Sequence, residues 1–89
     1  APIVSISEMQ IFPNPLSQQG TIRLQVNELT EATIHLLDLN GRLVKELYNG
    51  ALGKGWSDFS FQRANIPAGL YLVAFSSPKE RLFQKIVIE

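Results

Sequence analysis

Apolar and polar positions alternate with period two along most of this chain, the spacing of strands with one face turned to a core. In "TIRLQV", Ile22, Leu24 and Val26 fall on one side and Thr21, Arg23 and Gln25 on the other. "IVSIS", residues 3–7, does the same over a shorter span. "ATIHLLDL" and "RLVKELY" read as two further strands separated by Asn40-Gly41. "GWSDFSF" sets Trp56, Asp58 and Ser60 against Ser57, Phe59 and Phe61. "GLYLVAF" is apolar on both faces, which predicts a central strand covered on both sides. "RLFQKIVIE" opposes Leu82, Ile86 and Ile88 to Phe83, Lys85 and Val87. The pattern predicts about seven short strands with turn signals between most of them: an all-β, immunoglobulin-like antiparallel sandwich. The nearest helical candidate, "RLVKELYNGAL", is rejected because a hairpin turn precedes it. "NGALGKG", with three glycines across residues 49–55, predicts a mobile loop.

The chain has 89 residues and reads as a single domain, 1–89. A chain of this length buries roughly 60 to 65% of its unfolded surface, enough for one small core. Hydrophobic residues make up 45% and charged residues 18%, a globular composition. Eight Lys and Arg balance eight Asp and Glu, and they are scattered, so nothing draws in nucleic acid. The absence of cysteine removes disulfides and thiolate metal sites. No apolar run approaches the roughly 18 residues of a membrane helix. The start, Ala1-Pro2, carries no charged leader. The expectation is a domain excised from a longer secreted protein.

Four short segments stand out. In "IFPNP", Pro13 and Pro15 cannot donate to a ladder, and Phe12 and Asn14, each before a proline, are pushed to extended conformations. This suits a first strand that ends and crosses between sheets, with Phe12 anchored in the core and Asn14 bonding nearby backbone. In "DLNGR", Asp38 and Gly41 fit a type I turn with a left-handed glycine, setting Asp38 across from Arg42. A two-residue loop on Asn40-Gly41 is the alternative. In "IPAGLYLV", Pro67 and Gly69 read as a turn feeding a strand whose Tyr71 hydroxyl seeks a partner. "FQKIVIE" is a closing strand that sheet pairing must hold.

These four segments, in this order across residues 11–89, resemble the C-terminal sorting domain of type IX secretion substrates, in its Por-type (type A) form. The resemblance implies a non-catalytic domain at the end of a cargo protein. It implies export through the outer membrane of a Gram-negative cell, to the surface or the medium by way of the periplasm. Its partners would be the N-terminal cargo, an outer-membrane translocon and a sortase-like surface protease that removes the domain. The family match carries over to Pro13, Asn14 and Pro15, to Asp38, Gly41 and Arg42, to Pro67, Gly69 and Tyr71, and to Lys85, Ile86 and Val87. Two departures stand out. Family members often end in a basic residue, whereas this chain ends Ile88-Glu89, and Trp56 stands where many members carry a Gly-x-His element. "GWSD" is also slightly similar to the immunoglobulin-like domain of flagellar hook-assembly proteins, a scaffold reading.

Chemistry-bearing residues give no rival centre. His35, the only histidine, lacks the neighbours a catalytic or metal role needs. "DLNG" lacks the downstream ligands of a calcium loop, and the carboxylates are not paired for glycoside chemistry. No cofactor, metal or catalytic residue is assigned. Trp56 and Tyr48 flank the glycine-rich stretch and suggest the main alternative, an accessory carbohydrate-binding or spacer sandwich beside a secreted hydrolase. Recognition is expected at the terminal strand and adjoining turns, by strand addition. Exposed edges also make homodimers an expectation.

Overall fold

The computed structural model describes residues 6–89, and seven strands account for most of them. They are β1 (Ile6–Phe12), β2 (Gln19–Val26), β3 (Thr30–Leu37), β4 (Leu43–Leu52), β5 (Gly55–Gln62), β6 (Gly69–Ser76) and β7 (Arg81–Ile88). Residues 3–5 of the first predicted strand lie outside the described residues. Every strand pair is antiparallel, in a three-stranded sheet β1-β2-β5 and a four-stranded sheet β4-β3-β6-β7. The sheets face one another as the two layers of a sandwich, with β4 placed beside β3 in the larger layer.

In β2, β3, β5, β6 and β7 the alternation read from the sequence is the alternation of burial, whereas β4, broken by two register shifts, leaves Leu43 and Val44 exposed. Ile22, Leu24 and Val26 of β2 face Ile34 and Leu36 of β3, Val73 and Phe75 of β6, and Ile86 and Ile88 of β7 in one core, each at most 1% exposed. Burial of each such side chain stabilises the fold by about 1.5–3 kcal/mol. One further member comes from no strand. Leu16, in the crossing between β1 and β2, is fully buried. A Cβ on Gly20 would lie 2.3 Å from the Leu16 Cδ1 and 3.3 Å from the Phe12 carbonyl oxygen, so the close approach of this segment needs glycine there.

Three expectations are corrected. Phe12 does not anchor the core. It is 39% exposed on the outer face, with the Arg23 guanidinium 5.3 Å from its ring centroid. Period two decides this, because Ile11 points inward and Phe12 must then point out. β6 is apolar on both faces but covered on one. Tyr71, Val73 and Phe75 are buried, whereas Leu70 is 44% exposed and Leu72 and Ala74 are half-buried. The glycine-rich stretch is mostly strand. Thr30 to Thr33 pair with Leu52 to Asn49, and Gly53-Lys54 alone link β4 to β5. Gly50 lies against the Tyr48 ring, whose hydroxyl donates to the Ala51 carbonyl.

The Leu16 anchor leads to a measurement. Leu16→Ala should lower unfolding stability by about 2–5 kcal/mol in urea titrations. Leu29→Ala, at a residue 74% exposed, should stay within about 0.5 kcal/mol of the unaltered protein.

Candidate recognition site

The segment after β1 joins the two layers. Both prolines follow cis peptide bonds, and the chain between them leaves the small sheet for the free edge of β7. The Asn14 Oδ1 accepts the Val87 N–H at 3.0 Å. The Leu16 N–H donates to the Val87 carbonyl, and the Glu89 N–H donates to the Leu16 carbonyl, both at 2.8 Å. Leu16 and Ile88 thus form a short parallel bridge. The expected local bond of Asn14 is instead one that spans 73 positions of sequence.

A second set of bonds closes the same end. The Tyr71 hydroxyl donates to the Pro67 carbonyl at 2.6 Å, the tyrosine corner of immunoglobulin-like sandwiches. Its strand neighbours in β7 are Ile86, opposite Tyr71, and Ile88, opposite Gly69. Arg63, which the sequence reading passed over, spans three chain segments from the turn after β5. Its Nε donates to the Ile66 carbonyl at 3.0 Å, and its Nη1 reaches the Ser17 carbonyl at 3.1 Å and the Glu89 backbone oxygen. No sequence pattern singles it out, since its partners are all backbone oxygens made adjacent by the fold.

"DLNGR" forms the three-residue loop rather than the two-residue one. The Gly41 N–H donates to the Asp38 carbonyl and the Asp38 N–H to the Arg42 carbonyl, both at 3.0 Å, with Gly41 at φ +86°. The Asp38 carboxylate accepts the N–H groups of Asn40 and Arg42 at 2.9 and 3.0 Å and the Arg42 Nε at 3.0 Å. These bonds, the Arg42 backbone N–H foremost, hold its pKa below the ordinary value. Arg42 itself stays largely in solvent, with its side chain 79% exposed.

Strand direction puts all four signatures at one pole. The turns at 13–18, 38–42 and 63–68 and the end of β7 follow strands that run the same way. Direct bonds join Asn14 to Val87 and Pro67 to Tyr71. The 38–42 hairpin meets the others only through the ladder, by the row Leu43, Leu37, Leu72 and Lys85. Of the carried-over residues of β7, Ile86 is buried, whereas Lys85 is exposed on the outer face.

Other candidates separate. His35 lies on the outer face 3.7 Å from Glu46, and the described residues hold no cluster that would bind a metal. Tyr48 packs on Phe59, with ring centroids 4.6 Å apart, while Trp56 is 53% exposed on the opposite side of the small sheet, where Arg23 forms a two-pronged pair with Asp58 at 2.9 and 3.1 Å. The two aromatics do not build one stacking platform.

Among known proteins, residues 10–89 match the family model described as secretion system C-terminal sorting domain. Comparison with curated proteins finds no match.

The two lowered aspartates fix a pH response. The Arg23 side-chain hydrogen bond, chiefly, depresses Asp58, as the Arg42 backbone N–H does Asp38. A depressed carboxylate contributes stability above its unfolded value, near 3.8, and loses it as pH falls through the lower folded value. The urea midpoint should therefore fall below about pH 4. The Asp38→Asn/Asp58→Asn double variant should show a shallower fall; an identical acid slope would contradict the assignment.

Proposed function

The chain belongs to the type IX secretion C-terminal sorting domain family, and we propose that it acts as a folded, non-catalytic export label on a cargo protein. The single observation that carries this reading is the match across residues 10–89, nearly the whole chain. The geometry supports it: segments that are separately ordinary turns are assembled at one pole by bonds between the first and last of them. In this reading the cargo, already in the periplasm of a Gram-negative cell, is taken across the outer membrane by a translocon that recognises the domain's shape. A sortase-like surface protease then removes the domain, and the cargo is attached at the surface or released. The partners are the translocon, the protease and the cargo ahead of the domain. The residues proposed for recognition are those at the signature pole and on the outward face of β7.

The test is a secretion assay. A fluorescent reporter with an inner-membrane export signal is fused ahead of residues 1–89 in a host with type IX machinery. Reporter at the surface or in the medium, and retained when the machinery is disabled, is the expected result. A folded fusion held in the periplasm of the intact host would overturn the reading. Removing the last residues is a poor substitute, because Ile86 and Ile88 are core residues and a truncation would test the core together with recognition.

A further inference from the structure

The edge of β7 is divided into two halves. Both backbone groups of Val87 bond residues 14–16, so they point away from β6. Direction alternates along a strand, so the N–H and C=O groups of Arg81, Phe83 and Lys85 also point away from β6. Those of Leu82, Gln84, Ile86 and Ile88 point into the ladder. At 87–89 the outer edge is occupied. From 81 to 85 its register with β6 is unbroken, and among the described residues nothing pairs with its outer side.

The remaining edges differ. β4 is broken by two register shifts and β1 by one, the devices that discourage strand addition. β5 is regular, but the charge on its outer face, Asp58, is held by Arg23. Among the described residues, only the open half of β7 joins a regular edge to unspent charge. Arg81 and Lys85 are exposed on either side of Phe83, itself 56% exposed. Beside them the outer face of the larger sheet carries Leu70, Leu72 and Ala74 of β6 and Leu37 of β3, a surface left uncovered.

We propose that residues 81–85 of β7 are the docking edge for an extended segment of a partner, which adds as a further strand and sets acidic side chains opposite Arg81 and Lys85 and an apolar one opposite Phe83. The pairs follow from cross-strand complementarity. A second copy of this chain is a poor occupant, because the longest antiparallel self-pairing, centred on Phe83, puts Arg81 across from Lys85 twice. The homodimer expected from exposed edges is thus disfavoured at this one. The inference rests on the export reading above and narrows it. The clamped terminal residues 87–89 hold the edge in shape, and the free residues before them are read.

The test uses the same reporter fusion. Phe83→Pro and Lys85→Pro remove N–H groups that point away from the sheet, so the ladder to β6 stays whole. Both should remain folded by thermal unfolding of the purified fusion, and export should fall at least about tenfold, an effect of about 1.4 kcal/mol on docking. Phe83→Ala and Lys85→Ala keep the N–H and should lose less. The Arg81→Glu/Lys85→Glu variant leaves every ladder bond in place and should likewise fall about tenfold. It decides the matter should the proline variants unfold. Full export of a folded proline variant, or of the charge reversal where the prolines unfold, overturns the docking edge while the export reading stands. Unaltered fusion trapped in the periplasm overturns both.

Discussion

Everything in this sandwich depends on one crossing, the passage of residues 13–16 from the small sheet to the edge of the large one. A two-layer fold needs its layers tied as well as stacked, because apolar contact alone has no direction. Leu16 supplies the apolar half of the tie by sitting fully buried in the shared core. Asn14 and the Leu16 backbone supply the directional half through their bonds to Val87 and Glu89. The prolines suit the place because their missing N–H groups are not needed where the chain leaves the ladder. Gly20 suits it because a side chain there would meet Leu16.

This explains how ordinary turns become a signature. A Pro-x-Gly turn or an Asp-x-x-Gly hairpin stabilises only itself. Here the turn before β6 positions Tyr71, whose hydroxyl returns to Pro67, and β6 then places β7, whose end receives the crossing. Arg63 ties the remaining turn to the same point through three backbone oxygens. The pole is built from main chain more than from side chains, so what it presents is a shape rather than a set of reactive groups.

Much of this is legible in the chain. The inward triplet Ile22, Leu24 and Val26 and the opposed sets of β5 and β7 appear as read, because period two is a local property. The hairpin loop follows from Asp38 and Gly41 for the same reason. What the sequence hides is non-local. Phe12 is the exception, turned outward by the phase that its neighbour Ile11 sets, whereas Leu16 gives no periodic signal because it lies outside a strand. The glycines at 50 and 53 suggest a loose loop, yet pairing with β3 carries the strand to Leu52. The partners of Arg63 and Asn14 are backbone atoms, invisible to any reading of residue types.

The bridge between Leu16 and Ile88 also sets an order of events in synthesis. Within the domain, a ribosome delivers the crossing early and its partner in β7 late. Until residues 86–88 have emerged, the Leu16 site is uncovered, two core residues are missing and the tie has nothing to hold. Contacts this far apart in sequence cannot form while the chain between them is incomplete. The domain is therefore obliged to fold after translation of its own final strand, and a protein joined ahead of it has a head start of the whole domain's length. The sandwich can close only once β7 has been made, because Ile86 and Ile88 complete its core and the bridge to Leu16.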